Sequence, residues 1–188
     1  RLDPSYEVRF ADGTRLEMGE PEKMPERFAR FNEGDARRLP ALLADMERRY
    51  RLARYRFIER PFNSLKDLLH PEVMAGFAQA APIESTWNYI CRYVEDPRLR
   101  QALTFQTLYL GTSPFDCPNM YGFLPYIEMK FGVWFPQGGV YAVASALTRL
   151  FRELGGKLQC DTPVRRIQVE NGKAVGVETA AGELPRAH

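Results

Sequence analysis

Tyr6, Val8 and Phe10 alternate with Glu7 and Arg9, and beyond Asp12-Gly13 the run Arg15-Leu16-Glu17-Met18 alternates back. Period two on both sides of a dipeptide that tolerates positive φ predicts a β-hairpin. The period then changes. Leu39, Leu42, Leu43, Met46, Tyr50, Ala53 and Phe57 recur at three- and four-residue steps, downstream of the capping stretch Asn32-Glu33-Gly34-Asp35. That spacing predicts one long helix with a single apolar face. Pro40 has no N–H to donate and is expected only near a helix start, so a short turn is predicted before the main helix. Arg60-Pro61 ends it. Ser64, with Asp67 three residues on, reads as a capping box. Further helices are predicted over 72–81, over 86–94, and from Asp96-Pro97 to Gly111.

The stretch from Pro114 to Phe135 carries Phe115, Tyr121, Phe123, Tyr126, Phe131, Trp134 and Phe135 against only three charged residues, Asp116, Glu128 and Lys130. Such a run is either core or the wall of a lipophilic pocket, since aromatic rings offer large apolar area at low entropic cost. Gly138-Gly139 then opens a helix with Val140, Val143, Leu147, Leu150, Phe151 and Leu154 on one face, closed by Gly155-Gly156. Strands are predicted over 157–160, 164–169 and 174–179, the last two joined by Asn171-Gly172, with a further turn at Ala181-Gly182. The expected organisation is α+β and mostly helical over residues 1–131, followed by a segment of α/β character over 132–188.

Composition narrows the function classes. Among 188 residues the net charge is +2, which does not point to nucleic acid, and no base-stacking or groove-reading motif is present. Arg48, Arg49, Arg51, Arg54 and Arg56 line one face of the long helix. They read either as a solvated face or as a basic face toward anionic lipid headgroups. No apolar run is long enough to span a bilayer. Three isolated cysteines and two histidines match no metal or redox spacing, so no metal is expected, and a reduced, intracellular setting is. The first residue is Arg1, and the chain reads as a piece of a larger protein.

Candidate chemistry is sparse. "GVWFPQGG" at 132–139 has the strand–turn–helix look of a phosphate loop, but it matches neither G-x-x-x-x-G-K-[ST] nor G-x-G-x-x-G. Its glycines are read as permitting a tight turn. Asp67 and His70 share a helix face. They are either a cap and a surface histidine, or a polar pair at the edge of an apolar cavity in which an aspartate of raised pKa exchanges a proton.

Three stretches taken together, "RPFNSLKDLL" (60–69), "YVEDPRLRQALTFQTLYLGTSPF" (93–115) and "GVWFPQGGVYAVASALTRLFRELGGKLQCDTPVRRI" (132–167), closely resemble bacterial-type phytoene desaturases of the flavin amine oxidase superfamily. The resemblance covers nearly the whole chain, and the last stretch alone would identify only the superfamily. It implies a mixed-sheet substrate domain with a helical, membrane-facing insertion, followed by part of an FAD-binding Rossmann-type domain that begins near residue 132. The family's dinucleotide fingerprint is not in this sequence. FAD is the implied cofactor, a lipophilic carotenoid precursor the implied substrate, and peripheral contact with the inner membrane face from the cytoplasm the implied location. Position by position, Val164 matches a strand residue whose backbone meets the FAD adenine. Asp67 matches an acidic proton-handling position. His70 stands where the family often has Arg. Phe115, Tyr121, Phe123, Tyr126 and Trp134 are the expected substrate lining. A second reading, from another class, is a non-catalytic lipid- or membrane-binding module.

Overall fold

The computed structural model describes residues 1–80 and 84–180, without the side chains of Leu65 and residues 77–80. The expected turn at Ala181-Gly182 and the last residue of the helix expected over 72–81 lie outside the described residues. The chain divides into two compact units, Arg1–Phe135 and Pro136–His188.

In the first unit, β1 (Tyr6–Arg9) and β2 (Arg15–Met18) form an antiparallel pair with Tyr6 opposite Met18. Gly13 takes the positive φ of the turn, at 82°. The alternation puts Leu16 and Met18 inward, where they meet Met24 and Phe28 of α1 (Met24–Ala29). Helix α2 (Glu33–Ala53) follows. Its N-cap, Asn32, accepts from the Asp35 N–H at 3.0 Å.

Contrary to the expectation of a break, α2 runs straight through Pro40. The missing N–H leaves the Ala36 carbonyl without its usual partner, a penalty of about 3 kcal/mol. Leu39 and Leu42 on either side are completely buried. Their burial, at about 1.5–3 kcal/mol each, outweighs the defect. The last turn loosens into a π-helical turn, Arg54–Ile58.

Short helices α3 (Leu65–Leu68), α4 (Pro71–Ala80), α5 (Thr86–Cys91) and α6 (Pro97–Ala102) follow. The helix expected to run from 97 to 110 stops at Ala102, and a 3₁₀ segment, Phe105–Leu110, takes over. Thr104 causes the break. Its hydroxyl donates to the Arg100 carbonyl at 2.8 Å, and its N–H turns to the Gln101 carbonyl instead. After a 3₁₀ turn at Asn119–Tyr121, α7 (Leu124–Phe131) places Tyr126 and Met129 in the core beside Tyr89, Ile90 and Leu99.

The α5–α6 loop is tied to the start of α2 by Asp35 and by Arg38, which donates to the Tyr93 carbonyl and pairs with Glu95. Asp35 is buried, and its carboxylate accepts from the N–H groups of Glu95 (2.9 and 3.0 Å) and Asp96 (2.9 Å) and from Arg38 (2.6 Å).

In the second unit, Gly138 and Gly139 hold φ of 82° and 87°, and α8 (Tyr141–Glu153) follows at once. The apolar face expected of that helix is exposed: Val143 47%, Leu147 62%, Leu150 50%. β3 (Val164–Glu170) and β4 (Lys173–Thr179) pair antiparallel, with Asn171 and Gly172 at φ 51° and 75° between them. Residues 157–160 were expected to be a strand, yet none forms there. A strand needs a ladder partner, and among the described residues this unit's single sheet is the β3–β4 pair. Among the described residues each unit holds one two-stranded antiparallel sheet.

Candidate functional site

Asp67 and His70 border an open groove of about 220 Å³, together with Arg60, Pro61, Phe62 and Val73. The Asn63-Ser64 turn and the first turn of α3 position the aspartate. Its Oδ2 accepts from the N–H groups of Asn63 (2.9 Å) and Ser64 (2.8 Å) and from the Ser64 hydroxyl (3.3 Å). These bonds to the Ser64 and Asn63 backbone hold its carboxyl below the usual carboxylate range. The direction is opposite to the raised pKa that an apolar cavity would impose, because the carboxylate accepts from backbone N–H groups at the start of α3. Among the described residues Oδ1 takes no hydrogen bond.

His70 supplies the carbonyl that accepts from Val73 and Met74 at the start of α4. Its Nδ1 lies 3.4 Å from an Arg60 guanidinium nitrogen, and Arg60 also pairs with Glu72. The fixed cation of this groove is therefore Arg60, ten residues upstream of the histidine. Sequence spacing had given no reason to select it.

The aromatic run divides. Phe123 and Tyr126 are buried and pack on Tyr50, with ring centroids at 5.9 and 6.1 Å. Tyr121 is partly exposed in the 3₁₀ turn. Phe115 is 60% exposed against Trp87, and Trp134 is 68% exposed, its indole N–H bonded to the Phe131 carbonyl at 3.0 Å. So the core reading holds for part of the run, and an accessible apolar surface is formed by another part. Val164 opens β3 with an exposed side chain.

A second polar cluster has no local signature in the sequence. Glu128 of α7 accepts from the Tyr6 hydroxyl (2.6 Å), the Gln106 amide (3.0 Å) and the Tyr109 hydroxyl (2.9 Å). Its donors come from β1 and the 3₁₀ segment, up to 122 residues away. Burial and the neighbouring carboxylate raise both phenols, Tyr6 strongly and Tyr109 to about 12, so both remain donors near neutrality.

The arginines expected to line the basic face, in α2 and the π-helical turn, each have a carboxylate partner. Arg48 and Arg49 pair with Asp45, Arg51 with Glu47, Arg54 with Glu59 and Arg56 with Glu72. Beside them Tyr55, Ile58, Leu69 and Met74 are exposed at 51–72%. Among the described residues no helix is long and apolar enough to cross a membrane, and no cluster of His, Cys, Asp or Glu could hold a metal ion.

The family model for flavin containing amine oxidoreductase matches residues 1–187, and the chain belongs to that family. Within it, the chain is 38% identical over 188 residues to a zeta-carotene-forming phytoene desaturase of Myxococcus xanthus, covering 100% of this chain and 36% of that protein. It is 35% identical over 187 residues to a neurosporene-forming phytoene desaturase of Cereibacter sphaeroides, covering 99% and 36%. A carotenoid 3,4-desaturase of Haloarcula japonica is 29% identical over 185 residues, covering 97% and 37%. The chain thus spans a little over a third of the length of these curated relatives.

Proposed function

We propose that this chain is the substrate-side part of an FAD-dependent oxidoreductase that desaturates a carotenoid precursor, a phytoene-like polyene. The observation that carries the reading is similarity across all 188 residues to a relative named a phytoene desaturase. The second unit would belong to the Rossmann-type FAD domain, with the backbone of Val164 against the adenine. When bound, the flavin supplies a two-electron acceptor for the hydride that leaves a C–H bond as the adjoining C–C single bond becomes double.

The chain's own residues do the rest. A hydrocarbon offers no polar handle, so binding rests on apolar area, which Phe115, Tyr121 and Trp134 supply at the surface while Phe123 and Tyr126 brace the wall from the core. Asp67 stays ionised near neutrality, with Oδ2 engaged in the cap. Its Oδ1 would be the atom that takes and passes on a proton, with His70 and Arg60 beside it in the groove. A water-insoluble substrate must come from a bilayer, and Tyr55, Ile58, Leu69 and Met74 would make a peripheral contact on the cytoplasmic side of the membrane. Because the neighbouring arginines are paired, that contact would be mainly apolar.

The Asp67→Asn change tests the reading in the full-length protein. An amide oxygen still caps α3, but the proton acceptor is gone. Desaturation should fall about 100-fold or more, the range of a lost general base, with flavin content and melting temperature unchanged. Parental turnover in this variant would reduce Asp67 to a helix cap.

A further inference from the structure

The Glu128 cluster borders a groove of about 560 Å³ whose other walls include Tyr6, Val8, Phe105, Tyr109 and Val133. The groove is mainly apolar, yet a carboxylate sits in it without a counter-charge. Among the described residues no lysine or arginine pairs with Glu128. Arg9, which also borders the groove, is bonded to Glu7 at 2.6 Å. The carboxylate is held by neutral donors alone. Such an arrangement fixes its position and leaves its charge uncompensated, so the local field favours a cation.

The rings agree. Tyr6 meets Phe105 edge to face at 5.5 Å, and Phe105 meets Tyr109 likewise at 6.2 Å. Aromatic rings grouped around an anion are the chemistry that recognises a poorly hydrated cation such as a quaternary ammonium. The hydroxyls of Tyr6 and Tyr109 point their donors at Glu128 and so leave the rings as the apolar part of the wall.

We propose that Glu128 is the anionic group of a binding site for a long apolar ligand that bears positive charge on its chain. Resting on the carotenoid reading above, the same group would face the carbon of the hydrocarbon that becomes electron-poor as hydride departs. Bound flavin would supply the acceptor for the hydride and its electron pair, and loss of a proton from the neighbouring C–H bond would leave that bond's electron pair as the new double bond. Glu128 would stabilise the positive charge between the two losses, an effect felt only along the reaction path.

The test is binding, read without turnover on the full-length protein with its flavin. Dodecyltrimethylammonium and dodecanol, both below the micelle threshold, are titrated by calorimetry against the parent, Glu128→Gln and Tyr109→Phe. Glu128→Gln should weaken the ammonium about tenfold, the size of one partly buried charge pair, and leave dodecanol unchanged. Tyr109→Phe keeps the carboxylate and should hold ammonium affinity within about threefold. Equal ammonium affinity in Glu128→Gln and the parent overturns the proposal. So does a parallel loss of both probes, which would make Glu128 an element of the fold, and so does a parent that binds neither. A protein that binds the ammonium through Glu128 but desaturates no polyene sinks the carotenoid reading and leaves this site standing. A desaturase whose Glu128→Gln form binds the ammonium undiminished does the reverse.

Discussion

Replacing Asp35 by Ala should open the α2–α6 junction locally. Asp35 is 1% exposed, and its carboxylate is the acceptor for the backbone N–H groups of Glu95 and Asp96 and for Arg38. Truncation leaves those amides without a partner in a partly buried loop. Each such amide costs about 1–3 kcal/mol, and Arg38 loses one charge-assisted bond while keeping Glu95 and the Tyr93 carbonyl. The Glu95 amide lies at a more open position and falls at the low end of that range. The sum is about 3 kcal/mol, or roughly a 100-fold change in an opening equilibrium. Hydrogen exchange on the full-length protein reads this directly. Peptides covering 93–102 should lose about 100-fold in protection in Asp35→Ala, while β3 and β4 exchange as before. Arg38→Met serves as the control. It removes a half-exposed partner but leaves the backbone amides satisfied, and it should change protection by less than about fivefold. If Asp35→Ala stays within about fivefold of the parent, the carboxylate is not what holds the loop.

Two further outcomes follow from packing. Gly122 has φ of −63°, ordinary for any residue, yet a Cβ there would lie 2.6 Å from the Tyr89 ring, so Gly122→Ala should cost about 1–3 kcal/mol by overpacking, read as a lowered melting temperature; no change would mean that Tyr89 is free to move. Flotation of the full-length protein with anionic liposomes should drop when Ile58 and Leu69 become Ser and should vary little between low and high salt, since the nearby arginines are paired; flotation abolished by salt would restore the basic-face reading.

How much of this was legible in the sequence depends on the range over which each feature is determined. Both hairpins were, because alternation and a turn dipeptide lie within fifteen residues of each other. The apolar face of α2 was legible as well, since Leu39, Leu42 and Met46 are buried as their spacing requires. The rule for Pro40 failed because a tertiary packing gain exceeded a local penalty. The helix at Met24–Ala29 went unread although Pro25 in its first turn was a usable signal. The capping box at Ser64 and Asp67 was legible from residues three apart, and the same bonds give Asp67 the lowered pKa of a cap and not the raised one of the alternative reading. Arg60 beside His70 and the donors around Glu128 were not legible, because each depends on where distant elements dock.

The glycines of this chain are of two unlike kinds. Gly122 is needed for its smallness. Gly138 and Gly139 are not: a Cβ on Gly139 would meet nothing within 4 Å, and on Gly138 only Ala142 at an ordinary 3.6 Å. What that turn requires is handedness. A D-alanine placed at either position by chemical synthesis would fit the existing backbone and restrict the unfolded chain, whereas its L-counterpart would strain the same bonds. Asn or Asp, which visit that region at modest cost, are the natural substitutes there. At Gly122 the backbone suits an L-residue, and it is the space taken by the Tyr89 ring that excludes one.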